Sequence, residues 1–228
     1  LSRSTGLIEA GRVSWLFSFG FHLVGIHWIS NAFLVDRDQF GVFVPFVIVG
    51  LPAVLALFPA VILSVFPLIR RSPSLDIVTI AILWSISDFA RGKLFTGFPW
   101  NLMSYTVSFS ENLSQIASVV GAYGLNFLVI FVALAPSILL IKRFYRTKSL
   151  FFILFSCCFI PLAMGLGGML RLQNSNEEVD RNTIIRIVQA NIPQSEKWDP
   201  ELKFKNISKY LRLSSLPISS ELPESSII

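Results

Sequence analysis

Long apolar runs separated by short polar clusters fill the first 170 residues of the chain. Five runs, near 13–35, 41–66, 75–90, 114–141 and 149–170, read as bilayer-crossing helices, which need about 20 residues each. The third is the shortest. The pattern then changes. Thr183-Ile184-Ile185-Arg186-Ile187-Val188-Gln189-Ala190 is β-branched and roughly alternating, which predicts a strand. Asn191-Ile192-Pro193 closes it, because proline has no N–H to give to a ladder. Asp199-Pro200-Glu201 supplies a cap, a proline and an acid for the start of a helix. The expected architecture is a polytopic α-helical membrane protein followed by the start of an α/β domain. Residues 1–170 are the membrane domain, 171–182 a linker, and 183–228 the beginning of the soluble part.

Composition agrees with this division. The 228 residues are 53% hydrophobic and 14% charged, against about 25% charged in soluble domains. The net charge of +5 is placed by side of the membrane, so it reports orientation and not nucleic-acid binding. Arg3, Arg12, Arg70, Arg71, Lys142, Arg143, Arg146 and Lys148 all fall on one side of the five spans. The other side carries Arg37 between Asp36 and Asp38, then Arg91 and Lys93. The basic side is expected to be cytoplasmic, which puts the segment from Arg171 onward outside the cytoplasm. Prolines 45, 52, 59 and 67 punctuate the second run and predict a kinked helix packed on its neighbours.

Several residues are candidates for chemistry. Asp88 and Arg91 are spaced for an intrahelical pair. Residues 88–101, DFARGKLFTGFPWN, combine glycines with Phe95, Phe98 and Trp100. This stretch reads either as an aromatic belt with snorkelling cations or as a re-entrant loop that grips acyl chains. In the second reading Arg91 or Lys93 meets a lipid phosphate. His22 and His27 are five apart and do not share a helix face, so no metal site is expected, and His27-Trp28 reads as an interface anchor. Cys157 and Cys158 lie in an apolar run and read as packing residues, since apolar surroundings disfavour the thiolate. No nucleophile is paired with a base in the segment from Gln189 to Asp199.

Four stretches together resemble a known family. IVQANIPQSEKWDPE at 187–201 is similar to the start of the nitrilase-like domain of bacterial apolipoprotein N-acyltransferases. RGKLFTGFPWN at 91–101 resembles that family's periplasmic loop motif. FGFHLVGIHWIS at 19–30 and GAYGLNFLV at 121–129 resemble two of its membrane-helix motifs. The resemblance implies an inner-membrane, multi-pass enzyme with its soluble part in the periplasm. It implies transfer of an acyl chain from a phospholipid donor to the N-terminal amine of an apolipoprotein acceptor. The implied route is ping-pong through a cysteine thioester, with a glutamate base and a lysine at the oxyanion. No cofactor is expected, and the partners are membrane lipids and the acceptor, not nucleic acid.

Within this family pattern the chain reads as a fragment lacking both ends, inactive alone. Two membrane helices are expected before Leu1, and the catalytic Glu, Lys and Cys beyond Ile228. Asp88 stands where the family usually has glutamate. Pro223-Glu224-Ser225 resembles the family's Trp-Pro-Glu motif only superficially, and a catalytic role for Glu224 stays open beside a solvated loop acid. The resemblance points to Gly97, Phe98 and Trp100 as the lipid-facing loop, and to Gln194 and Trp198 as the approach to the active site. Their implied role is substrate contact and positioning. The rival readings are a non-catalytic scaffold or transporter-like protein and a decayed gene remnant.

Overall fold

The computed structural model describes residues 1, 6–140, 147–174, 186–197 and 199–216. Among them, five helical runs are long and apolar enough to cross a membrane: Leu7–Leu34, Arg37–Ile69, Pro73–Lys93, Ala117–Leu139 and Phe151–Gln173. Each covers one apolar run of the sequence. The third extends beyond the expected 75–90 to 21 residues, because Pro73 starts the helix after Ser72 and polar Asp88, Arg91 and Lys93 continue it.

The chain divides into two compact units, one of residues 1–31 and 42–176, the other of residues 32–41 and 177–228. In the first, α1 (Leu7–Ile26) packs along α2 (Val44–Leu55) and α3 (Leu57–Ser64). Next, α4 (Pro73–Lys93) lies against α3 and α5 (Ala117–Leu134). The core is Leu63 from α3, Ile77, Ala81 and Trp84 from α4, Ile130 and Phe131 from α5, and Ile138. The face that α1 buries is partly polar: Ala10, Ser14, Ser18, His22 and Ile26, one residue per turn.

The prolines break the second span as expected. Pro59 and Pro67 have no N–H, so the carbonyls of Leu55 and Leu63 four residues earlier lose their helical partners. The helix is interrupted at Ala56 and again at Val65. Pro52 stays inside α2, buried against the bundle.

The fifth span includes a π turn, Phe155–Phe159, before α6 (Ile160–Gln173). It carries both cysteines. Cys157 lies 3.7 Å from the Val132 carbonyl, whereas Cys158 is exposed on the helix surface. Further along, α6 closes on the short helix Glu111–Ser114 through Gly168, where an added Cβ would meet the Asn112 carbonyl oxygen.

In the second unit the described residues include no strand. The expected strand over 183–190 is not formed across 186–190, and Thr183–Ile185 lie outside the described residues. A strand is stabilised by a neighbouring strand, and none is described beside it. The start of a nitrilase-like domain is therefore not seen among the described residues. The helix expected at Asp199 begins later, as α7 (Lys203–Ser214). The Asp199 carboxylate accepts from the Glu201 N–H at 2.8 Å and makes a local turn instead.

Candidate functional site: a clamped loop at the end of the helical unit

α4 ends in a loop that folds back on itself. The Leu94 N–H closes the helix on the Ala90 carbonyl, and the Phe98 N–H returns to the Arg91 carbonyl at 2.8 Å. The return needs left-handed backbone. Phe95, Thr96 and Gly97 have φ of 51°, 72° and 83°, and Asn101 has 61°. Only glycine adopts this region freely. Gly97 is required twice over, since a Cβ there would also lie 2.4 Å from the Gly92 carbonyl oxygen.

A buried charge holds the loop. Arg91 is 1% exposed and Asp88 3%, the two buried charged residues among those described. One Arg91 guanidinium nitrogen, Nη1, donates to the carbonyls of Phe98 (2.8 Å) and Trp100 (2.6 Å). The other, Nη2, donates to Asp88 Oδ1 at 2.8 Å. Asn126 of α5 donates through Nδ2 to Asp88 Oδ2 at 2.9 Å, and its Oδ1 accepts from the Ser104 N–H at 3.1 Å. The donor directions are forced. A guanidinium and an N–H can only donate and a carboxylate only accepts, so the Asn126 amide has one orientation that satisfies both neighbours. The Phe98 ring lies 5.9 Å from the guanidinium, within cation–π range.

An aromatic cluster covers this network. Phe98 meets Trp100 edge to face at 5.3 Å, and Trp100 meets Trp28 at 5.9 Å. Trp28 and Trp100 are each half exposed. With Gly25, Ile26, Asn101 and Tyr105 they line a cavity of about 280 Å³. Gly25 permits the closure, because a Cβ there would stand 2.3–2.6 Å from the Asn101 amide group. Tyr123 of α5 closes the other side, its ring 5.3 Å from Phe89 and its hydroxyl over Gly92.

Three sequence stretches singled out above therefore meet at one end of the unit: 19–30 with Gly25 and Trp28, 91–101, and 121–129 with Tyr123 and Asn126. Gly97, Phe98 and Trp100 are brought together there. Gln194 is exposed in the second unit, in the short helix Gln194–Lys197, beside a groove of about 710 Å³ that Asn191, Asp199 and Tyr210 also line. Trp198 and Glu224 lie outside the described residues. The pairing of Asp88 with Arg91 is as their spacing predicts. Arg91 is not available to a lipid phosphate, since its donors are turned inward, while Lys93 is exposed. His22 is buried, with Nδ1 donating to the Ser18 carbonyl at 2.8 Å, and His27 is exposed, so the two are on different faces.

Asn126 and Ser104 are not among the sequence candidates. A polar side chain inside an apolar span is the available signal for Asn126; for the Ser104 N–H, a backbone group, the sequence holds none.

Comparison with known proteins matches this architecture. Residues 1–135 fit the family model described as the apolipoprotein N-acyltransferase N-terminal domain. The chain is 36% identical over 209 residues to an apolipoprotein N-acyltransferase of Rhodopseudomonas palustris, covering 92% of this chain and 39% of that protein. It is 31% identical over 227 residues to that of Allorhizobium ampelinum (100% and 42%) and 34% over 206 residues to that of Rickettsia bellii (90% and 40%). The chain thus spans about two fifths of the length of these relatives. By sequence and by its multi-span helical unit, this chain belongs to the apolipoprotein N-acyltransferase family.

Proposed function

We propose that this chain supplies the membrane unit of an apolipoprotein N-acyltransferase. The reaction of the whole enzyme is transfer of an acyl chain from a phospholipid to the N-terminal amine of the diacylglyceryl-cysteine of an apolipoprotein, through a cysteine thioester. The unit sits in a bacterial inner membrane with Lys93 and the segment after Arg171 on the periplasmic side.

The observation that carries this reading is the convergence of residues 19–30, 91–101 and 121–129 on one clamped, aromatic-lined loop at the end of the spans. Interfacial aromatics favour the depth at which phospholipid esters lie. Trp100 and Phe98 contact the acyl chain, Gly97 lets the loop turn, and Lys93 faces the headgroup phosphate. Gln194 and Trp198 border the approach for the acceptor amine.

The test is acyl transfer by the full-length protein in phospholipid vesicles, with a diacylated lipopeptide as acceptor and mass spectrometry as readout. Activity is expected, with none from the 228-residue chain alone. Trp100→Ala should raise KM for phospholipid roughly tenfold, because a half-exposed tryptophan gives up about 1–2 kcal/mol of apolar contact. A full-length protein that leaves the lipopeptide unmodified would refute the proposal.

A further inference from the structure

Trp28 and Trp100 are half exposed, yet the side chains that fix the loop, Asp88, Arg91 and Asn126, are buried. Trp100 and Phe98 are held through their carbonyls, both by the same Arg91 nitrogen. Asp88 fixes the guanidinium through its other nitrogen, Nη2, and Asp88 is set from the other side by Asn126 on α5. Ser104, just past the loop, is tied to the same Asn126. The two ends of the segment 91–104 are therefore referenced to one carboxylate in the bundle. A charged pair in a membrane unit costs desolvation that an apolar pair would not. Its return here is conformational: a planar guanidinium can address two carbonyls and a carboxylate at once in a fixed fork, which an ammonium cannot.

We infer that Arg91 is a positioning residue, which through Asp88 and Asn126 sets the Phe98–Trp100–Trp28 rings toward the lipid and does not itself bind the headgroup. This rests on the reading of the loop as lipid-facing. It replaces the phosphate-binding role that the sequence suggested for Arg91 and leaves Lys93 as the exposed cation of the loop.

The experiment uses the full 228-residue chain in nanodiscs of phosphatidylethanolamine and phosphatidylglycerol. Its five tryptophans are replaced by fluorotryptophan and assigned one at a time by Trp→Phe variants. A nitroxide on the phospholipid acyl chain near the glycerol is expected to broaden the fluorine resonances of Trp28 and Trp100. Arg91→Lys should shift those two resonances and remove the broadening at Trp100. Trp15, whose indole N–H is tied to the Ala53 carbonyl between α1 and α2, should not move; Trp84 is no control, because its side chain meets Asp88. Asp88→Asn should give the same pattern, because it removes the charge that fixes the guanidinium, and Asp88→Glu should restore the native one.

Unmoved Trp28 and Trp100 in both Arg91→Lys and Asp88→Asn would overturn the inference. So would a shift of Trp15 as large as that of Trp100, or failure of both variants to fold, since Arg91 would then serve the bundle as a whole. Lack of acyl transfer by the full-length protein ends the enzymatic reading without moving any of these resonances, so the two failures are separable.

Discussion

Gly92 offers the sharpest steric test of how α4 and α5 meet below the loop. A Cβ built on it lies 2.0 Å from the Tyr123 hydroxyl oxygen, 3.2 Å from Cζ and 3.8 Å from the Pro99 Cα. Non-bonded contacts to carbon settle near 3.5–4.0 Å, so Gly92→Ala forces the hydroxyl to move by about 1 Å or more. The ring cannot simply retreat, because Phe89 packs on it edge to face at 5.3 Å. Overpacking of this kind costs about 1–3 kcal/mol, and alanine in a helix returns about 1 kcal/mol relative to glycine. Gly92→Ala should therefore be destabilising by about 0–2 kcal/mol. Tyr123→Phe deletes the colliding oxygen and leaves the 3.2 Å contact to a ring carbon. In that background Gly92→Ala should be neutral or slightly stabilising. The assay is a double-mutant cycle by reversible unfolding in detergent micelles, with an expected coupling of about 1–2 kcal/mol in the direction of rescue. A cost of Gly92→Ala that is the same with and without Tyr123→Phe, within about 0.5 kcal/mol, would refute the packing described for α4 and α5.

Two other substitutions test the neighbouring contacts. Asp88→Ala leaves the Arg91 guanidinium buried without its counter-charge and should cost about 3–5 kcal/mol, read as a fall in unfolding midpoint far larger than that of Gly92→Ala. Gly168→Ala places a Cβ 1.8 Å from the Asn112 carbonyl oxygen. That atom is backbone and cannot rotate away, so the midpoint should fall further than for Gly92→Ala, and Asn112→Ala should not restore it.

The parts legible in the sequence are those with short-range causes. Apolar runs locate the five spans, proline spacing locates the breaks at Ala56 and Val65, and the three-residue interval locates the Asp88–Arg91 pair. What escapes depends on residues far apart in the chain. Arg91 is buried because Phe98 and Trp100 come back over it, seven and nine positions later, with their carbonyls turned inward. Nothing periodic announces that return, and a cation at the end of a span is expected to snorkel outward. Asn126 reaches Asp88 across 38 positions. The strand expected over 183–190 is not formed across 186–190, for the opposite reason. Its alternation is local, but a strand's hydrogen bonds lie in a neighbour, and the described residues hold none.

The clamp also explains how so unfavourable a backbone persists. Phe95, Thr96 and Asn101 are in the left-handed region, at a cost of the order of 1–3 kcal/mol each. Thr96 is β-branched, for which that region is especially poor. The Arg91 donors make three charge-assisted bonds to Phe98, Trp100 and Asp88, each worth about 1.5–3 kcal/mol net, the same order as the strain. The Arg91 bonds span Phe95 and Thr96, and the bond from the Ser104 N–H to Asn126, which anchors the segment to α5, lies just beyond Asn101. Strain and clamp therefore stand or fall together. Relaxing the backbone withdraws the two carbonyls from Arg91, and a buried guanidinium without them is intolerable in an apolar bundle. A loop built this way is held in one arrangement by bonds that its own strained backbone makes possible. A flexible loop with the same aromatics would hold Trp28 and Trp100 in many arrangements, with no single cavity between them.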